Sequence, residues 1–228
     1  MAEAGPSLVV DQLGFSWPTG HCALNHCSFT IAKPGLWMLV GGNGSGKSTL
    51  LRLIAGLLTP SRGRLVRPLK PALVFQNPDH QLLLPSCGSE IELALPETTP
   101  TQLRLERVER ALHQVGLDGF RKRPIHSLSG GQKQRLAIAG ALASEAQLLL
   151  LDEPTALLDE TSQIEVLQLI HSLCKQQEQP LTALWITHRL EELRWCDGAA
   201  LMERGSVGPW RTGESMEHSL IPLAGRKG

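Results

Sequence analysis

The sequence has no excess of charge of either sign. Its 228 residues carry 22 basic and 22 acidic side chains, and the formal net charge is zero. A protein that binds nucleic acid over a broad surface needs a basic face, so we predict no nucleic-acid partner. No apolar run comes near the roughly 18 residues of a membrane-spanning helix. Residues 1–10 also lack the basic start and apolar core of an export signal. We therefore expect a soluble chain that reaches a membrane only through a partner.

Cysteine is sparse and tyrosine is absent. The five cysteines are odd in number and scattered, which indicates free thiols in a reducing compartment. One local pattern, His21-Cys22 followed by His26-Cys27, leaves two readings open. It could form a small metal site, or these residues could be ordinary members of a strand that follows a turn. Structural zinc sites usually show CxxC-like pairs, which favours the second reading.

Apolar residues make up 42% of the chain, enough to bury a sizeable core. Short apolar runs at 36–40, 71–75, 147–151 and 181–186 are typical of buried strands, and amphipathic helical patterns lie between them. This alternation predicts an α/β fold with a mainly parallel sheet that is covered on both faces.

The predicted organisation is a single domain over residues 1–228. Two antiparallel strands, 8–15 and 23–31, should open the fold. An amphipathic stripe of Leu105, Val108, Leu112 and Val115 indicates that an inserted stretch is helical. We also expect a helix over 189–195. The expected parts are an α/β core at 7–84 and 146–207, a helical lobe at 85–145, and a short, loosely held tail at 208–228.

A glycine-rich loop joins the first buried strand to a helix. It matches G-x-x-x-x-G-K-[ST], the P-loop pattern, in the strand–loop–helix context that this motif requires. Backbone N–H groups and the helix N-terminus would surround phosphate oxygens, with Lys47 reaching the β- and γ-phosphates and Ser48 holding Mg²⁺. The predicted nucleotide-binding residues are Gly41, Gly42, Asn43, Gly44, Ser45, Gly46, Lys47, Ser48 and Thr49.

An acidic pair ends the strand at 147–151. Asp152 would emerge at the carboxyl edge of the sheet, where it can bind Mg²⁺ directly or through water. Glu153 comes one residue later and could orient, or take a proton from, an attacking water. Together with the P-loop, the pair indicates an NTPase.

A second anion-binding element narrows the assignment. Leu128-Ser129-Gly130-Gly131-Gln132 combines a hydroxyl, glycine N–H groups and the start of an apolar helix. Because the P-loop already serves the phosphates of one nucleotide, this element needs another nucleotide, supplied by a second copy of the protein. We therefore predict that Ser129, Gly130, Gly131 and Gln132 contact that nucleotide.

These motifs resemble those of the ABC ATPase family, whose LSGGQ signature stands unaltered at 128–132. Gln76 is similar to the family's Q-loop glutamine, Asp159 to its D-loop aspartate and His188 to its switch histidine. Trp17 falls where the family places an adenine-stacking aromatic. Tyrosine is usual at that position, but tryptophan offers a larger face.

The resemblance implies a P-loop NTPase core with an N-terminal antiparallel β subdomain and a helical insertion. It also implies that two subunits pack head-to-tail around ATP and Mg²⁺, the second being a copy or a paralogue. Gln76 would join Ser48 and Asp152 at the metal. The implied catalytic residues are Glu153, His188, Gln76 and Lys47, and Asp159 would link the two sites near the nucleotide.

The segment 75–82, Phe-Gln-Asn-Pro-Asp-His-Gln-Leu, resembles the FQNPDxQ pattern of energy-coupling-factor and cobalt-type importers. Such importers take up vitamins or metal ions. This implies a transmembrane partner docked near the Q-loop, and a cytoplasmic, peripheral position on the inner face of the cell membrane. Two alternatives are a soluble ABC ATPase not tied to transport and a scaffold that has lost hydrolysis; the intact Lys47, Asp152, Glu153 and His188 disfavour the scaffold.

Overall fold

Strands and helices alternate along the chain. The computed structural model describes residues 5–224. The strands are β1 (Leu8–Ser16), β2 (Cys22–Ile31), β3 (Gly35–Val40), β4 (Arg62–Val66), β5 (Pro71–Val74), β6 (Leu148–Asp152), β7 (Thr182–Ile186), β8 (Gly198–Glu203) and β9 (Ser206–Val207). The α-helices are α1 (Lys47–Ala55), α2 (Cys87–Ala94), α3 (Thr101–Gln114), α4 (Gly130–Ala143), α5 (Glu160–Cys174) and α6 (Gly213–Ala224). Within residues 5–224, none of these helices combines the length and apolar character needed to cross a bilayer.

The main sheet has six strands in the order β5-β6-β7-β3-β8-β9. The first five are parallel, and β9 pairs antiparallel to β8. All residues of β3 and β7 are buried, as expected of central strands that have helices on both faces. The predicted mainly parallel α/β fold is confirmed.

A second, three-stranded sheet is antiparallel and has the order β2-β1-β4. Its inner face packs Leu8, Leu24 and Ile31 into one core with Leu50 and Ile54 of α1. The two antiparallel strands predicted at 8–15 and 23–31 are present. Strand β4 was not predicted, because its residues Arg-Gly-Arg-Leu-Val are exposed or half-buried and do not form an apolar run.

Three helices, α2, α3 and α4, lie within residues 85–145. Val108 and Leu112 of α3 join Ile91 and Leu136 in a hydrophobic core that continues into the main sheet. The predicted stripe on α3 was wrong at Leu105, which is 55% exposed. This leucine lies one turn before the part of α3 that packs into the core.

The segment predicted as a helix over 189–195 is instead a 3-10 helix, Leu190–Trp195. The backbone N–H of Glu192 donates to the Arg189 carbonyl, and that of Cys196 donates to the Leu193 carbonyl. These bonds span three residues, which winds the segment more tightly than an α-helix.

The loosely held tail that was predicted after residue 207 was also wrong for its described part. Arg211 bridges to Ala199 of β8, and α6 then packs against the 3-10 segment with Met216 only 2% exposed. Glu217 on the same helix accepts from Arg194 at 3.0 Å. The apolar stripe of α6 is short and lies among polar residues, so its helical period was hidden.

Because Met216 is buried, we expect Met216→Ala to lower the free energy of unfolding by about 2–3 kcal/mol. Denaturant unfolding measures the change. Ile221→Ala, at a residue of the same helix that is 54% exposed, is the control and should change it by less than about 0.5 kcal/mol. Equal effects of the two changes would contradict the docking of α6.

Candidate nucleotide-binding and hydrolysis site

The predicted P-loop is a compact turn between β3 and α1. Gly41, Gly44 and Gly46 all have left-handed backbone conformations, with φ of 153°, 77° and 105°. A Cβ on Gly41 would lie 2.3 Å from the Met202 carbonyl oxygen, and one on Gly46 would lie 2.5 Å from the Ala23 carbonyl oxygen. Glycine is therefore required by both backbone angle and space at these two positions.

The inside of this loop is built for an anion. The Lys47 ammonium donates to the carbonyl oxygens of Gly41 at 2.8 Å and Gly42 at 3.0 Å, so it is held over the loop. Burial lowers the pKa of Lys47, and the nearby carboxylates of Glu153 and Asp152 oppose that effect. Among the described residues 5–224, the hydroxyl of Ser45 is buried and has no hydrogen-bond partner. An unpaired buried donor beside a lysine fits a phosphate oxygen.

The predicted metal ligands Ser48 and Asp152 meet in the structure. The Ser48 hydroxyl donates to Oδ1 of Asp152 at 3.0 Å. Burial raises the pKa of the Asp152 carboxyl, and the Ser48 hydrogen bond opposes the rise. A hydroxyl and a carboxylate are oxygen ligands of the kind that Mg²⁺ prefers, so these two residues fit that ion.

Two of the predicted catalytic residues, His188 and Gln76, meet at a third, Glu153. Its Oε1 lies 2.6 Å from Nε2 of His188, and its Oε2 lies 3.5 Å from Nε2 of Gln76. Its backbone φ is +49°, a left-handed conformation that costs a non-glycine residue energy. Its N–H donates to the Ile186 carbonyl oxygen at 3.2 Å, which holds this strained turn against the end of β7.

The signature residues begin α4. Ser129 is the N-cap: its hydroxyl accepts from the Gln132 N–H at 3.2 Å, and the Gln132 side chain accepts from the Ser129 N–H at 3.1 Å. Ser129 and Gly130 are exposed. Gly131 is buried against α5, where a Cβ would lie 2.5 Å from the Ser162 hydroxyl. Within residues 5–224, no hydrogen bond or ion pair joins the signature to the P-loop.

Asp159 and Trp17 have local partners in the described chain. Asp159 caps α5 by accepting from the N–H and the hydroxyl of Ser162 at 3.0 and 2.7 Å, and these bonds lower the pKa of its carboxyl. Trp17 is half-buried and packs edge-on against Phe15, with ring centroids 5.1 Å apart. The residue that anchors Asp159 is thus the residue that packs on Gly131.

The Q-loop segment is bonded to the signature helix. Lys133 of α4 pairs with Asp79 at 2.6 Å, and Nε2 of Gln134 donates to the Phe75 carbonyl oxygen at 3.2 Å. Gln134 is fully buried. The two motifs are therefore joined by one surface contact and one core contact.

The candidate metal pattern around Cys22 and Cys27 does not form a cluster. Across the described residues 5–224, no group of three or more His, Cys, Asp or Glu side chains is placed to hold a metal ion. Cys27 is buried on β2 and burial raises the pKa of its thiol to about 11, whereas Cys22 is exposed. His26 instead contacts Oε1 of Gln12 at 2.7 Å.

The sequence did not predict a buried hydrogen-bond cluster that joins residues close to Glu153 and His188 in the chain. The Thr155 hydroxyl donates to Oε1 of Glu192 at 2.6 Å, and the Trp185 indole N–H donates to Oε2 at 3.0 Å. Glu191 and Glu192 are adjacent and chemically identical in the sequence. Only the periodicity of Leu190 and Leu193 could have suggested which glutamate points inward.

Two glycines of α4 give a matched test of the signature's packing. Gly131→Ala should lower the free energy of unfolding, by about 1–3 kcal/mol, because its Cβ meets the Ser162 hydroxyl at 2.5 Å. Gly140→Ala should raise it by about 0.5–1 kcal/mol, because its Cβ meets only Ala94 at 3.8 Å and alanine favours the helix. Chemical denaturation measures both. Effects of the same sign would contradict this packing.

Comparison with known proteins agrees with the site. Residues 24–156 match the ABC transporter family. The chain is 46% identical over 187 residues to ABC transporter I family member 10 of Arabidopsis thaliana. The aligned region covers 81% of this chain and 69% of that protein. It is 40% identical over 223 residues to energy-coupling factor transporter ATP-binding protein EcfA1 of Geobacillus kaustophilus, covering 91% and 78%.

A solved structure shares the fold over almost the full length. It is cbiO1 from Clostridium perfringens, described as part of the ABC transporter complex cbiONQ. The TM-score is 0.85 at 30% identity, and the match covers 98% of this chain and 96% of cbiO1. The family match and these similarities agree with the P-loop, the acidic pair and the signature of this chain. The chain therefore belongs to the ABC transporter family, as an ATP-binding and ATP-hydrolysing protein of the energy-coupling factor type.

Proposed function

We propose that this chain powers a membrane importer of the energy-coupling-factor type, which carries vitamins or metal ions, through ATP-driven closure and opening of a head-to-tail dimer. The observation that carries the proposal is the convergence of His188 and Gln76 on the Glu153 carboxylate. Hydrolysis needs a base beside the nucleotide, and the intact arrangement disfavours a scaffold that only binds ATP.

Binding of ATP would begin at the P-loop. The buried Ser45 hydroxyl and the Lys47 ammonium would bind phosphate oxygens, and Trp17 would stack its face on adenine. Ser48 and Asp152 would hold Mg²⁺ together with Gln76. That ion would neutralise charge on the phosphates. Asn43 and Gly44 are exposed at the mouth of the loop, where they can approach the nucleotide.

Hydrolysis would depend on Glu153. Its Oε2, which faces Gln76, can accept a proton from an attacking water. Before ATP binds, its Oε1 is held by Nε2 of His188, which orients the carboxylate. When ATP is bound, His188 would turn its ring N–H toward the γ-phosphate, so that it reports whether that phosphate is present.

A second subunit would complete the site. Ser129 and Gly130 are exposed at the start of α4, and a serine with glycine N–H groups at a helix N-terminus favours an anion. The P-loop of a partner subunit can supply that anion as the γ-phosphate of its ATP. Loss of this phosphate removes the bridge, and the dimer opens. The partner is a copy of the chain or a paralogue.

A transmembrane subunit would dock beside the Q-loop. Leu83 and Leu93 are 76% and 61% exposed, and the segment around Leu83 is held to α2 because Glu90 accepts its N–H at 3.0 Å. An exposed leucine that follows the Q-loop segment and another on α2 suit an apolar contact. Docking here would place the chain peripherally on the inner face of the membrane. A soluble ATPase that is not tied to transport would not need this exposed apolar surface.

Glu153→Gln keeps the shape of the side chain but removes the base. We expect at least a ~100-fold loss of Mg²⁺-dependent ATPase activity with ATP affinity retained. ATP should also stabilise a dimer of the variant, visible by size measurement with and without nucleotide. Glu106→Gln is the control, because Glu106 is exposed on α3 and its ion pair in the described part of the chain is with Arg110. Retained activity in Glu153→Gln would remove Glu153 from the mechanism.

The docking surface is tested by Leu83→Ser combined with Leu93→Ser. The pair should weaken association with the membrane subunit, by roughly tenfold or more, and should leave the ATPase activity of the chain alone unchanged. Co-purification from detergent measures the association. Leu105→Ser, at a leucine 55% exposed on α3, is the control and should not change it. Unchanged binding by the double variant would place the interface elsewhere.

A further inference from the structure

Glu192 is a buried carboxylate that takes no part in the mechanism proposed above. It is 3% exposed, and its two strongest partners are neutral donors that are also buried, Thr155 at 2% exposed and Trp185 at 0%. The charged Arg189 reaches it only at 3.9 Å. Burial of a carboxylate away from water is costly, so full use of its oxygens is the expected compensation.

The two oxygens of Glu192 bind two different parts of the site. Oε1 accepts from Thr155, two positions after Glu153, at 2.6 Å. Oε2 accepts from Trp185, three positions before His188, at 3.0 Å. Glu192 itself lies four positions after His188, in the 3-10 segment. The Glu192 carboxylate therefore connects the residues before and after His188 to the turn that carries Glu153.

This connection adds a side-chain link to the backbone bond between the two turns, in which the Glu153 N–H donates to the Ile186 carbonyl oxygen at 3.2 Å. Glu153 has a strained backbone, with φ of +49°. His188 is exposed and reaches Glu153 through one side-chain contact at 2.6 Å. A rigid link between the two turns restricts how far the imidazole can move from the carboxylate, and a displacement of about 1 Å at a reacting group can cost on the order of a hundredfold in rate.

We propose that Glu192 is a positioning residue for ATP hydrolysis, and that its hydrogen bonds to Thr155 and Trp185 set the distance between the turns that carry Glu153 and His188. This role rests on the roles proposed for Glu153 and His188. Neither Glu192 nor its two donors is among the residues predicted to bind the nucleotide. The link should therefore affect turnover and not ATP affinity.

Thr155→Val removes the hydroxyl but keeps the shape of the side chain. In the assembly in which the wild-type chain hydrolyses ATP, turnover should fall by roughly tenfold or more, while ATP affinity stays within about twofold. Thr155→Ser keeps a hydroxyl and should restore turnover to within about twofold of wild type. A serine rescue is not expected if the valine variant acts only by altering packing.

Thr182→Val is the matched control. Thr182 is also fully buried, and its hydroxyl donates to Oγ of Ser7 at 3.2 Å, at the end of β7 away from His188. It should lose stability without losing turnover. If Thr155→Val keeps turnover within twofold of wild type, or if Thr182→Val loses as much turnover as Thr155→Val, the inference is wrong.

Glu192 is tested by two substitutions. In Glu192→Gln the amide oxygen can still accept from Trp185, and the amide nitrogen can donate to the Thr155 hydroxyl, so turnover should stay within about threefold. Glu192→Leu leaves both donors unpaired and should behave like Thr155→Val or worse. Equal loss in the two Glu192 variants would show that the charge acts and not the hydrogen bonds, which overturns the inference.

Glu153→Gln in the same assay separates this inference from the proposed function. If Glu153→Gln is inactive and Thr155→Val is fully active, only the positioning role fails. If Glu153→Gln is active, the role of the carboxylate fails and the positioning role fails with it.

Discussion

The parallel register of β3, β6 and β7 determines where the P-loop, Glu153 and His188 lie. Leu39 pairs with Ile186, and Asp152 pairs with the same residue from the other side. All three strands therefore end at one edge of the sheet, and the residues after each strand must meet there. The P-loop comes after β3, Glu153 after β6 and His188 after β7. The buried apolar residues of these strands hold that register, so the core and the site depend on the same pairing.

The sequence predicted the parts of this site that are contiguous in the chain. The P-loop, the acidic pair and the signature each carry their chemistry and their structural context within about ten residues, so local patterns were enough to find them. The parallel sheet was predictable from short apolar runs alternating with helices. The family resemblance named Glu153, His188 and Gln76 as catalytic residues and Ser48 and Asp152 as metal ligands. The contacts among them, such as the Ser48–Asp152 hydrogen bond at 3.0 Å, come from the structure.

Pairings between distant residues could not be predicted in the same way. Asp79 meets Lys133, and Glu192 meets Thr155, because the fold brings separate segments together; neither pair has a local sequence signal. Strand β4 and helix α6 were missed for a related reason. Each is a short element without a regular apolar pattern, and its stability comes from the surface it packs on. The backbone strain at Glu153 has no sequence signal, since a glutamate favours no left-handed angle.

The proposed mechanism requires that each ATP lies between Lys47 of one subunit and Ser129 of the other. The most direct measurement is a structure of the Glu153→Gln chain, in its dimeric assembly, with Mg²⁺ and ATP. We expect the phosphates to contact Lys47 of one subunit, and the γ-phosphate to accept a hydrogen bond from Ser129 of the partner subunit. ATP held by a single chain, with Ser129 still exposed to solvent, would show that the head-to-tail site does not exist.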